Sequence, residues 1–422
     1  MSTREITYAA AGAESYWFNR TYDATIELYG YALAASSGYA YVSGYAYDTA
    51  SPYDEALLLK YNSDGVLQWQ VELGDIGYEY FQGVAVDSSG NVFAAGYTDS
   101  DGAGSNDILI AKYDSTGAVS WQRTLGTVGN DKNQLGCIAV DSSSNSYISG
   151  EYSTYFVVAK YDSSGSIQWQ RTLDTVAGPF AEAIAVDSSS NVYLAGTVDI
   201  ANVGYGTLAK YDSSGTIQWQ KKLSDATNDV SFGGVTTDSS GNVYVTGFAD
   251  GVSASRALLI VKYNSSGVVQ WQRTLNGTGS QGGFGIATDS AGNVYVVGEN
   301  QNDSTGIIAK YNSSGTIQWQ RSLAYTSKSV ILYGASVVGA ALYVAGYLNG
   351  TTDDAVTAKL PTGGALTGTY GSYTYASTSL TDAASSYTEA TTTFTDAAGT
   401  LTDASAALTE STPTYTSTTT SI

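Results

Sequence analysis

Along most of the chain, apolar residues come in short alternating or continuous runs, each closed by a cluster of Ser, Asn, Asp and Gly. One unit shows the pattern: GIATD from residue 285, a Ser-Ala-Gly-Asn turn, NVYVVG, a variable stretch, IIAKYN, a Ser-Ser-Gly turn and TIQWQRSL. Runs of β-branched and aromatic residues between such turns predict strands joined by hairpins, four to a unit. No stretch of residues 14–360 keeps a 3.6-residue period, so no helix is expected there.

The unit recurs. A Lys-Tyr-(Asp/Asn)-Ser-x-Gly phrase starts at Lys60, Lys112, Lys160, Lys210, Lys262 and Lys310, with a worn copy at Lys359; the gaps are 52, 48, 50, 52, 48 and 49 residues. All seven tryptophans, Trp17, Trp69, Trp121, Trp169, Trp219, Trp271 and Trp319, keep the same beat. Four short strands per unit, seven times over, predict an all-β, seven-bladed β-propeller. In wording, IVKYNSSGVVQWQRTL and GFGIATDSAGNVYVVG resemble the bacterial SBBP-type β-propeller repeat, with a similarity to NHL-type blades, over about residues 14–360. The resemblance implies that GIATD is the innermost strand and TIQWQRSL the outermost. The chain begins with an outermost-type strand at Trp17 and ends its last unit near Lys359, so the N-terminal strand is expected to complete the seventh blade. The alternative is that ALTGTY at 365–370 supplies it. The expected organisation is a segment 1–13, a propeller 14–360 and a tail 361–422.

Composition narrows the chemistry. There are 39 acidic residues against 18 basic, a net charge of −21, no histidine and one cysteine, Cys137. Without histidine there is no imidazole acid–base chemistry or His-ligated metal. One cysteine excludes an internal disulfide framework and a multi-cysteine metal site. The acidic balance argues against nucleic acid as a partner. No apolar run is long enough to insert in a membrane, and residues 1–13 lack the apolar core of a signal peptide. An enzyme is not expected.

One tryptophan per unit at one strand position reads as blade packing, and the repeated lysines and arginines as scaffold. The DSSGN and YDSSG carboxylates read as caps of their own turns. Asp99, Asp101 and Asp107 cluster with glycines as a calcium loop would, though not at EF-hand spacing; otherwise no cofactor is expected. Cys137, in LGCIAVD, reads as a buried, inert thiol. The stretches that differ between units, such as 97–107, 197–205 and 324–333, belong to one face of the disc and are where partner contacts can be placed. Tyrosine is dense there in the early units, and Tyr45, Tyr47, Tyr78 and Tyr80 are the candidate ligand-binding residues, suited to cell-surface glycan or protein.

After Lys359 the chain turns rich in Thr, Ser and Ala, with no Lys or Arg. Leu366, Tyr373, Leu380, Tyr387, Phe394, Leu401, Leu408, Tyr415 and Ile422 fall every seven residues. A helical bundle, a β arrangement and disorder are all open for this tail. Because seven blades suggest no seven-residue period, the heptads are expected to drive homo-oligomerisation through Leu380, Tyr387, Phe394, Leu401 and Leu408. Together these features predict a structural or adhesion protein: a bacteriophage virion component (tail or surface appendage) or an extracellular-fibre component, partnered by other virion or fibre proteins and located on the virion or cell exterior. The alternative is a lectin-like glycan-binding protein of a bacterial surface.

Overall fold

The computed structural model describes residues 16–421 apart from short segments at 23–25, 49–52, 75, 103–105, 127–130, 133–136, 153–154, 176–178, 225–227 and 251–254, and, in the tail, 386–387, 392–394, 399–401, 406–408 and 412–415. Seven antiparallel sheets are arranged as the blades of a propeller, and the described residues contain no helix. The sixth blade is representative, with strands Gln281–Thr288, Val294–Asn300, Thr305–Tyr311 and Ile317–Tyr325 from the channel outward. The expected closure is present. Trp17–Tyr22 pairs with Asp354–Pro361, Trp17 opposite Lys359, and so completes the seventh blade. The alternative strand is elsewhere: Gly368–Tyr370 pairs with Tyr373–Ser377 in the sixth blade.

The repeated residues explain how the blades hold one another. Each tryptophan Nε1–H donates to a carbonyl in the outer turn of the next blade, from Trp69 to Ser115 (3.3 Å) round to Trp319 and Thr362 (3.1 Å). The repeated lysine donates to the same oxygen, as Lys262 and Trp271 do to Ser313 at 3.0 and 3.1 Å. Trp17 donates to Ser63 at 3.0 Å, so the N-terminal strand locks the seventh blade to the first by the common device. The tryptophans and lysines are scaffold. The turn carboxylates are scaffold as well: Asp289 Oδ1 accepts from Ala291 N and Asn293 N, and Oδ2 from Asn293 Nδ2 and Tyr295 Oη.

Each innermost strand whose pairing is fully described carries a one-residue β-bulge, as between Gly283 and Gly285 or between Gly30 and Ala32. A bulge pushes backbone towards the partner strand. This explains the glycine that recurs in second strands: a Cβ at Gly298 would lie 1.8 Å from Gly282 O, and one at Gly44 1.6 Å from Tyr29 O. No side chain fits at that position.

The tail forms a belt. Its strands run backwards around the ring, each adding a fifth strand to the outer edge of one blade: Tyr373–Ser377 on the sixth, Thr381–Ala384 on the fifth, then Thr388–Thr391, Thr395–Ala398, Thr402–Ser405 and Thr409–Ser411 on the fourth to the first. Thr416–Ser421 finishes against Trp17–Tyr22 of the seventh. The third residue of successive heptads stands opposite the same blade leucine: Asp382 faces Leu275, Glu389 Leu223, Asp396 Leu173 and Asp403 Leu125. The blades therefore do offer a seven-residue period, because in the middle of the tail strands on neighbouring edges begin seven residues apart, at Thr381, Thr388, Thr395, Thr402 and Thr409. Leu380, expected at a chain–chain contact, is buried in this chain's own fifth-blade core beside Leu258 and Leu275. Tyr387, Phe394, Leu401 and Leu408 lie outside the described residues. Tyr373 and Tyr375 are buried around Phe18, Tyr373 stacked on it at 5.2 Å, and Tyr373 Oη donates to Asn19 O at 3.2 Å. The belt thus buttresses the closing strand of the ring.

Candidate functional site

The innermost strands surround a central channel with a cavity of about 150 Å³. At one shared position each blade gives an aliphatic residue to its lining: Leu33, Val84, Ile138, Ile184, Val235, Ile286 and Ala335. This apolar waist is common to all blades. What differs is the residue two positions earlier, at the bulge, where Tyr31, Gln82, Glu182, Gly233, Phe284 and Tyr333 stand in six of the blades. The bulge turns a uniform strand into the place where blades are individual.

On the variable-loop side of the waist, the sixth, seventh, first and second blades carry a continuous arc of rings. Phe284 lies 4.7 Å from Tyr333, Tyr333 5.6 Å from Tyr31 and 5.8 Å from Tyr347, and Tyr31 5.7 Å from Tyr45. Tyr45 stacks on Tyr29 at 4.4 Å and meets Tyr80 edge-on at 4.5 Å, and Tyr80 stacks on Tyr97 at 4.7 Å. Acidic side chains rim the arc: Tyr29 Oη donates to Glu27 at 2.9 Å, and Tyr80 Oη donates to Asp54. Burial, reinforced by these carboxylates and by neighbouring hydroxyls, pushes the phenols of Tyr29, Tyr45 and Tyr80 far up, and those of Tyr31 and Tyr97 up to about 12. Tyr29 and Tyr80 thus keep their protons and donate them to the rim carboxylates. A polar cleft of about 190 Å³, lined by Glu299, Asn300, Ser329, Ile331 and Asn349 among others, lies between the sixth and seventh blades.

Of the four sequence candidates, Tyr45 and Tyr80 are in the arc. Tyr47 and Tyr78 stand exposed, Tyr78 in edge contact with Tyr53 at 6.1 Å and with its N–H on Asp99 Oδ1 at 2.6 Å. Tyr97, Phe284, Tyr333 and Tyr347 were not legible as site residues. Their signal was positional: Tyr45, Tyr97 and Tyr347 each follow the second-strand glycine. Glu182 was also missed. Burial and the neighbouring Glu151 push its carboxyl up to about 8.

Asp99, Asp101 and Asp107 do not converge. Asp99 accepts from Tyr78, Asp101 Oδ1 from Gly102 N at 2.8 Å, and Asp107 is buried against Gly126, where a Cβ would meet its carboxylate at 1.4 Å. Among the described residues no three acidic, histidine or cysteine side chains are grouped to hold a metal. Cys137 is fully buried between the second and third blades, and desolvation pushes its thiol up.

A family model described as a beta-propeller repeat, SBBP, matches residues 68–102. The match covers one of the seven repeated units, running from the outermost strand of the first blade into the second blade. No curated protein sequence matches the chain. Among solved structures, the polysaccharide lyase Uly1 is similar, with a TM-score of 0.53 at 10% identity over 86% of this chain and 93% of that one. The propeller domain of the Trilobed protease from Pyrococcus furiosus gives a TM-score of 0.45 at 10% identity, over 79% of this chain and 95% of that one. Sqt1 from Chaetomium thermophilum gives 0.45 at 10% identity, over 83% and 86%. At these identities the likeness concerns the fold. The propeller is the frame, and the arc of rings marks the mouth of its channel on the variable-loop face.

Proposed function

We propose that the protein is a non-enzymatic recognition propeller, presented on a virion or an extracellular fibre, that holds a glycan or a protein surface at the mouth on its variable-loop face. The observation that carries this reading is the arc of touching rings from Phe284 to Tyr97, set at the open side of an apolar waist. Tyrosine offers rigid, amphipathic contact area at low entropic cost, and its ring faces suit sugar rings or peptide surfaces. A non-enzymatic role is supported by the lack of histidine in the sequence, which leaves no imidazole for acid–base work. The virion or fibre setting is supported by the acidic, cysteine-poor composition.

The test is binding to host cells and to immobilised glycans by the full chain carrying Tyr97→Ala and Phe284→Ala, at the two ends of the arc. Both side chains are half-buried and outside the blade cores, and an unchanged circular dichroism spectrum checks that the fold persists. Affinity should fall about tenfold, the order expected for losing two aromatic contacts. Unchanged binding, or tight salt-dependent binding to DNA instead, overturns the reading.

A further inference from the structure

Five outer edges, those of the first to the fifth blades, are near-identical docking sites, and what they take is a strand of this chain's own tail. In the middle of the tail each heptad presents Thr, an acid and a small residue in one register, the acid always opposite a blade leucine. The described example shows what the site recognises. Asp382 Oδ1 accepts from Tyr311 Oη of the next blade at 3.0 Å, and Asp382 Oδ2 lies 3.9 Å from Arg273 of its own blade. The corresponding third-strand tyrosines, Tyr113, Tyr211 and Tyr263, and the blade leucines, repeat around the ring. Nothing in this register distinguishes the edge of the chain's own blade from that of another copy.

The start of the tail does discriminate. Tyr373 and Tyr375 occupy a place built by Phe18, and Tyr375 stands where later heptads have an acid. This part is tied to its own ring. Beyond it, Ser377, Thr378 and Ser379 precede the first interchangeable heptad, and this short polar stretch crosses from the sixth blade to the fifth.

We propose that the outer rim is also an intermolecular surface whose partner is a second copy of this chain: from about residue 378 onward the tail of one propeller dresses the blades of another. Exchange keeps every strand pairing of the closed belt and changes only the path of residues 377–380, as in other swaps of identical elements. Reciprocal exchange gives a closed pair. One-way exchange leaves one rim bare and one tail free, which are complementary on different copies and propagate into a chain of propellers. Each heptad adds a short edge pairing, and the linked heptads act together through their high effective concentration. Self-association thus follows from the belt itself rather than from a separate bundle.

The experiment uses full-length chains. Thr274 and Ala383 are opposite one another across the rim of the fifth blade. The double variant Thr274→Cys, Ala383→Cys should form a disulfide within one chain when refolded dilute and oxidised. Chains carrying T274C alone and A383C alone are then refolded together at increasing concentration. A disulfide-linked pair joining one chain of each kind, its share rising with concentration, supports exchange. If the double variant closes within its own chain while the mixture yields no such pair at any concentration, exchange does not occur. If the double variant does not close either, the register that underlies the proposal is absent and the proposal falls with it.

Discussion

Gly298→Ala tests the bulge in its simplest form. The added methyl would lie 1.8 Å from Gly282 O, 2.8 Å from its carbonyl carbon and 3.0 Å from Gly283 Cα, all backbone atoms. No flexible side chain can swing aside, so the inner strand of the sixth blade must retreat. Retreat strains a packed core, at about 1–3 kcal/mol, and leaves at least one buried backbone group without its partner, at about another 1–3 kcal/mol. Against this, alanine stabilises by restricting the unfolded chain, by about 0.4–1 kcal/mol. The expected net loss is about 3 kcal/mol. Gly339→Ala is the control: its φ of +60° is left-handed, but a Cβ there meets nothing within 4 Å. Strain alone should then cost about 1 kcal/mol. Equilibrium urea unfolding, followed by the fluorescence of the interblade tryptophans, compares the two. If Gly298→Ala is no more costly than Gly339→Ala, the glycine does not answer to the bulge and the reasoning fails.

Two further outcomes are expected. Glu182, whose carboxyl is raised from an ordinary 4.5 to about 8, holds a proton in the folded state over a window where the unfolded chain does not. Folded stability should therefore decline as pH rises from about 5 to 8, by at most about 1.4 kcal/mol per pH unit. The turn aspartates, held below their ordinary value, lose their contribution at lower pH, outside this window. Urea midpoints across pH should show the slope in the native chain and lose it in Glu182→Gln. Cys137 should resist thiol reagents in the folded protein and react only on unfolding; labelling at the rate of an exposed thiol would contradict its burial.

The blades were legible because their scaffold repeats. Seven tryptophans on one beat mark seven interblade clasps, and Trp17, arriving before any inner strand, announces the closing strand. The belt was half-legible. A spacing of seven without a slip is visible from Leu366 to Ile422, but sequence alone does not say that an extended heptad, reaching about 23 Å, is the step from one outer edge to the next. The same period is written by coiled coils, and the partner surface consists of backbone edges that no side-chain pattern reveals. The mouth was least legible. Tyr45 and Tyr80 stood out among dense tyrosines, whereas Tyr333, Phe284 and Glu182 gain their position from a bulge, which is a feature of pairing between strands and not of either strand.

The order in which the belt is laid down has a mechanical consequence. The last strand, Thr416–Ser421, rests on Trp17–Tyr22, and each strand before it rests on the preceding blade in reverse order. A pull on the C-terminus meets these contacts one at a time and peels them like a zip, each heptad paying out about 23 Å of chain before the next blade is loaded. A pull on the N-terminal strand instead loads two ladders at once, against Asp354–Pro361 and Thr416–Ser421. Tethered by its tail, the molecule would lengthen in small increments under load while the ring stayed shut. Tethered by its first strand, it would hold rigid until the ring itself gave way.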